Sequence, residues 1–153
     1  MSQDMQVLQK VYNRFDQYTW SELDITDEYF RAIKFPEEAE KFVNSFVAKP
    51  TNNFVVVVGS YKMRFYNDEE SYIWENREYA AIVTLTLERP FNSFFINNKM
   101  FDRESKSTSI LKNNFLNINK NINKKVNLVT DLYNKVSRKV SNLDEIYEEF
   151  LED

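Results

Sequence analysis

Apolar positions at the start of the chain recur at helical spacing. Val7, Leu8, Val11, Tyr12 and Phe15 predict a helix over residues 4–16. A polar stretch holding Trp20 follows, then a short helical segment over 28–33. Pro36 is tolerated in a first helical turn, and Glu37 and Glu38 behind it suit the positive end of a helix dipole. Ala39, Phe42, Val43, Phe46 and Val47 then make an apolar face and Pro50 a stop, which predicts a third helix over 37–48.

The period changes at Phe54. Phe54–Val58 is a continuous apolar run, mostly β-branched, and predicts a buried strand. Tyr61, Met63 and Phe65 alternate with Lys62, Arg64 and Tyr66, a half-exposed continuation, with Gly59 between the two as a bulge that re-aims the strand. Asn67-Asp68-Glu69-Glu70 makes a polar hairpin turn. The returning run, Ser71–Glu88, puts Ala81, Val83, Leu85 and Leu87 on one face and Thr84, Thr86 and Glu88 on the other. Arg89-Pro90 ends it, Asn92–Ile96 is a further short strand, and Lys99–Ser109 reads as a polar connector. Helices followed by an antiparallel meander of three to five strands and then more helix predict the α+β class.

The last third has the longest pattern. Leu111, Phe115, Ile118, Ile122, Val126, Val129, Tyr133, Val136 and Val140 are separated by 4, 3, 4, 4, 3, 4, 3 and 4 residues. That averages about 3.6 per repeat and places all nine in an arc of roughly 80° on a straight helix. Residues 111–140 would extend about 44 Å, against a diameter of roughly 38 Å for a compact domain of this length. The helix is therefore expected to span the domain or project from it. Seven Asn between 113 and 127 weaken it by about 4–5 kcal/mol relative to Ala, so it needs packing to persist. Lys135, Arg138 and Lys139 mark its last turn, and Ser141 and Asn142 can cap a new helix beginning with Asp144 and Glu145. A break is expected at 140–142. The chain divides accordingly into an α+β core, 1–104, and a C-terminal helical segment, 105–153, joined to the same domain or projecting from it.

Charge follows that division. Ser105–Val140 holds eight bases and one acid, Asp131, whereas Ser141–Asp153 holds six acids and no base. Such blocks imply electrostatic docking, onto the chain itself or onto a partner. Composition mostly excludes chemistry. Without Cys there are no disulfides, thiolate metal sites or thiol nucleophiles, and without His the commonest general base and metal ligand are missing. One Gly cannot build a phosphate-cradling loop. No run approaches the eighteen apolar residues of a membrane span, and the opening Met1-Ser2-Gln3-Asp4 does not begin a secretory signal. A cytoplasmic protein, or one assembled into a particle within the cell, is expected. Eighteen Asn with little Gly or Pro also suits an AT-rich genome.

Four groups are candidate sites. Lys112, Lys120, Lys124, Lys135, Arg138 and Lys139 form a basic face for phosphates or for a protein. The net acidity of the chain and the lack of a nucleic-acid-binding motif weigh against nucleic acid. Asp144, Glu145, Glu148, Glu149, Glu152 and Asp153 interleave with Leu143, Ile146, Tyr147, Phe150 and Leu151 as an amphipathic acidic helix, suited to a partner groove or to its own domain. Asp68, Glu69, Glu70, Glu75 and Glu78 cluster at the hairpin without the spacing of a calcium loop. Trp74, Phe91, Phe94, Phe95 and Phe101 would line an apolar pocket between sheet and helix.

The function expected is a non-enzymatic assembly or adaptor subunit of a larger complex, such as a phage or virion component, with no catalytic residue, metal or cofactor. Its contacts to a protein partner or to another copy would be the seam Leu111, Phe115, Ile118, Ile122, Val126, Val129, Tyr133, Val136 and Val140. Lys120, Lys124, Lys135, Arg138 and Lys139 would flank it, and Asp144, Glu145, Glu148 and Glu149 would add an acidic contact. The alternatives are a carrier of small apolar ligands, an immunity-type inhibitor and a nucleic-acid-binding protein.

Overall fold

A computed structural model describes residues 2–104 and 127–152. Its centre is an antiparallel meander in the order β1-β2-β3-β4-β5, comprising β1 (Ser21–Glu22), β2 (Lys41–Thr51), β3 (Phe54–Tyr66), β4 (Tyr72–Thr86) and β5 (Arg89–Asn97). The helices are α1 (Gln3–Asn13), α2 (Glu28–Arg31), α3 (98–104 as described), α4 (Leu128–Val140) and α5 (Leu143–Glu152). The class is α+β, with a helix before the meander and helices after it.

Alternation along β3 and β4 sends side chains to two buried faces. Val56 and Val58, opposite Ile82 and Ala80, face α1 and α4, meeting Met5, Leu8, Val11, Leu128, Val129, Leu132 and Val136. Val55 and Val57, opposite Val83 and Ala81, face the other way, onto Leu23, Phe30 and Ile33 of the segment 23–39. Burial on both sides explains the unbroken apolar run at Val55–Val58. Phe35 anchors the second layer, its ring 4.7–5.5 Å from those of Phe30, Phe42, Tyr79 and Phe95.

Residues 37–48 are not a helix: β2 occupies 41–51. The register of β2 against β3 shifts between Phe42 and Asn44, which leaves Val43 as an extra, exposed residue. That bulge puts Phe42, Ser45 and Val47 on one face and Asn44, Phe46 and Ala48 on the other. A bulge within a strand covered on both sides thus imitates helical spacing. The bulge expected at Gly59 lies instead in β2, opposite Ser60 and Tyr61. Gly59 pairs regularly with Ser45 and Tyr79. The first helix ends at Asn13, earlier than the expected 16, and a 3-10 turn, Phe15–Gln17, follows it. The expected connector is helical from 98 to 104, with Asn97 accepting the Met100 backbone N–H at 2.9 Å.

Leu87 leaves the apolar face of β4 altogether. With Glu88 it forms a two-residue hairpin turn, both at positive φ (53° and 67°), and it is 93% exposed. Paired positive φ values fit the right-handed twist of the strands, at a steric cost in side chains other than Gly or Asn.

Gly59 is required for space. A Cβ there would lie 2.5 Å from the Asn44 carbonyl oxygen and 2.7 Å from the Tyr79 hydroxyl. The Tyr79 side chain crosses this gap to share a 2.7 Å hydrogen bond with the Ser45 hydroxyl, while Asn97 Nδ2 donates to the Tyr61 hydroxyl at 3.1 Å. Burial pushes both phenols above their ordinary value, Tyr79 the further.

Gly59→Ala is expected to destabilise the fold by about 1–3 kcal/mol, seen as a lower urea midpoint, because backbone oxygen blocks the new methyl group. The raised phenols make stability pH-dependent in one direction. Below the ordinary tyrosine value of 10 both are neutral folded or unfolded, and nothing changes. Above it the unfolded chain releases protons that the folded chain retains, so stability falls by about 1.4 kcal/mol per pH unit for each such phenol. Urea titrations from neutral to strongly alkaline pH should show that slope, and Tyr79→Phe should make it shallower.

Candidate functional site

Helix α4 begins at Asn127, whose side chain caps the Val129 and Thr130 N–H groups at 3.1 Å. The same amide donates to the Asn98 carbonyl at 2.8 Å and to the Asp102 carboxylate at 2.9 Å, tying the helix to α3. Its apolar stripe then lies on the sheet. Val129 and Val136, expected to face a partner, are buried in the domain's own core, where Tyr133 and Val140 pack partly buried beside them. The Tyr133 hydroxyl shares a 3.1 Å hydrogen bond with that of Ser60. Leu111, Phe115, Ile118, Ile122, Val126, Lys112, Lys120 and Lys124 lie outside the described residues.

The basic residues at the end of α4 are also engaged internally. Tyr12 donates to the Asp131 carboxylate, and Lys135 donates to the Tyr12 hydroxyl at 3.2 Å while lying 3.7 Å from Asp131. The hydrogen bond to Tyr12, reinforced by the Asp131 charge, raises the affinity of Lys135 for its proton. Lys139 donates to the carbonyls of Asp16 and Tyr18 at 3.0 and 3.2 Å. Arg138 meets Asp144 at 2.5 Å across the α4–α5 junction. Around these groups runs an open groove of about 420 Å³, lined by Phe15, Lys135, Arg138 and Lys139 together with Asp16, Asp144 and Glu145. Cations and carboxylates there largely neutralise one another.

The expected break is a tight one. Val140 ends α4, Asn142 adopts φ 54°, and α5 starts at Leu143. Helix α5 has no buried residue. Leu143, Ile146, Tyr147, Phe150 and Leu151 fall in one arc of about 140° at 100° per residue. Phe150 and Leu151 are each 78% exposed, and Ile146 and Tyr147 are more than half exposed. Glu145, Glu148, Glu149 and Glu152 occupy the opposite arc and are exposed. An apolar stripe left open in water, backed by acids without a base, is the best-formed contact surface among the described residues.

A second exposed surface was not anticipated as a unit. The β3–β4 hairpin outruns its neighbours: β2 joins it only as far as Lys62 and β5 only as far as Tyr79. Residues 63–66 and 72–78 form an arm bearing Arg64, Tyr66, Tyr72 and Trp74 on one face. Arg64 pairs with Glu40 at 2.8 Å, and hydrogen bonding to it lowers the Glu40 pKa. The signal in the sequence was the alternation of aromatic residues through both strands beyond the β-branched core. At the turn, the Asp68 carboxylate accepts the Glu70 and Ser71 N–H groups at 2.8 and 2.9 Å, bonds that lower its pKa, and Glu75 pairs with Arg77 at 2.7 Å. These acids build the hairpin.

The five aromatics expected to line one pocket are dispersed. Trp74 lies on the arm, Phe91 is exposed, Phe94 and Phe101 pack toward α1 and α4, and Phe95 packs on the opposite face. Among the described residues no helix is long and apolar enough to cross a membrane. Comparison with family models, with curated proteins and with solved structures found no match to this chain.

Since Lys139 satisfies two carbonyls at the end of the 3-10 turn, Lys139→Met is expected to lower stability by about 1–2 kcal/mol. Chemical denaturation checks this; an unchanged midpoint would show that Lys139 is a surface charge with no structural role.

Proposed function

We propose that the protein is a non-enzymatic assembly or adaptor subunit that docks onto a protein partner through α5. The observation that carries this reading is the exposed stripe Ile146, Tyr147, Phe150 and Leu151 on a helix whose only charges are acids. A helix of this kind enters an apolar groove with i, i+3, i+4 and i+7 side chains, while its acids select a rim of Lys and Arg and speed the encounter. The internal engagement of Lys135, Arg138 and Lys139 removes them as free phosphate ligands and supports a protein partner over nucleic acid.

A photo-crosslinking residue at position 147, introduced in the native host, is expected to trap a polypeptide. Phe150→Asp in the same chain should abolish the trap while leaving stability within about 0.5 kcal/mol, since the side chain is 78% exposed. Absence of any crosslinked polypeptide from a folded, expressed chain would remove the proposal.

A further inference from the structure

The chain carries a surface matched to α5, and it is the arm. We infer that α5 docks onto the aromatic, basic face of the β3–β4 arm of a second copy, so that copies associate head to tail. This rests on the docking role of α5 and names its partner.

Charge is the first argument. The described length of α5 holds Asp144, Glu145, Glu148, Glu149 and Glu152 and no base. The arm face and its root carry Lys41, Lys62 and Arg64 against Glu40, which is paired to Arg64, and Glu78, while Asp68, Glu69 and Glu70 lie beyond the rings at the turn. Lys41 and Lys62 stand directly across from each other on neighbouring strands, a like-charge pair that an acidic helix relieves. Two α5 helices laid together would instead set five acids against five.

Shape is the second. The rings of Tyr66 and Tyr72 lie 5.6 Å apart, as do those of Tyr72 and Trp74. Arg64 sits 5.4 Å from the Tyr72 ring, and Lys41 Nζ 4.3 Å from that of Trp74. Cations thus brace a row of rings, yet Tyr66 and Tyr72 remain exposed and Trp74 partly so. Tyr66 lies directly across from Tyr72 and Trp74 two residues further along β4, so the rings extend about 7 Å along the strands, and Ile146–Leu151 extends about 8 Å along α5. An apolar stripe of that length covers the row once. Among the described residues neither surface is covered, and the proposed contact joins two chains. Because it pairs unlike patches, it is heterologous and each copy retains one free end. A contact this small is weak and concentration-dependent.

Sedimentation of the full chain at rising concentration and low salt is expected to show association beyond a dimer, weakened at least tenfold by molar salt. Phe150→Asp should abolish it, as should Tyr72→Ala with Trp74→Ala. Lys62→Glu, an exposed change that leaves the arm's rings in place, should weaken it at least tenfold. Mixed together, the Phe150→Asp chain and the Tyr72→Ala/Trp74→Ala chain should form a dimer that grows no further, each supplying the patch the other lacks. A wild-type chain that stays monomeric, or a mixture that yields no dimer, overturns the inference. A monomeric wild type whose position-147 crosslink goes to a different polypeptide leaves α5 docking intact and removes only the second copy as its target. No crosslink at all removes both.

Discussion

Burial of β3 and β4 on both faces is the constraint on which the rest of the molecule depends. A strand pair such as Val55–Val58 against Ala80–Val83 presents apolar side chains up and down, and neither layer can be left to water. One side is closed by α1 and α4 and the other by the segment 23–39 around Phe35. Small residues make the closure feasible. Gly59 lets Tyr79 lie across the sheet and reach Ser45, which satisfies two polar groups that would otherwise be buried unpaired.

That demand recruits α4. Its stripe of Leu128, Val129, Leu132 and Val136 closes the sheet, and its charges are fixed by what lies beside it: Lys135 at Tyr12, Lys139 at the carbonyls of residues 16 and 18. Once α4 is committed inward, the turn at Asn142 directs the chain away from the core. Helix α5 is left with its apolar stripe uncovered. The proposed contact surface is thus a consequence of how the core is closed.

Much of this was legible along the chain. The N-terminal helix, the buried run of β3, the polar turn at residue 67 and the α4–α5 break each arise from signals local to a few residues. Residues 37–48 imitate a helix for a physical reason. The bulge at Val43 breaks the period of two, and burial of both faces removes the polar positions that would have exposed it. Leu87 was misplaced because its turn uses Leu and Glu where Asn or Gly would have announced it. The arm is not legible in the sequence because only strand length relative to β2 and β5 defines it, and pairing extents are nonlocal.

By itself the sequence determined the class of the fold, the strands of the central pair, the helix break at 140–142 and the segregation of charge. Those features follow from periodicity, capping and composition, which act within a few residues. Only the tertiary structure decided which apolar stripe was used up and which was left over. The periodic stripes at Val129–Val140 and Ile146–Leu151 are both credible contact faces on a helical wheel. They differ because α4, tied through Asn127 to α3, is the helix placed over the sheet beside α1.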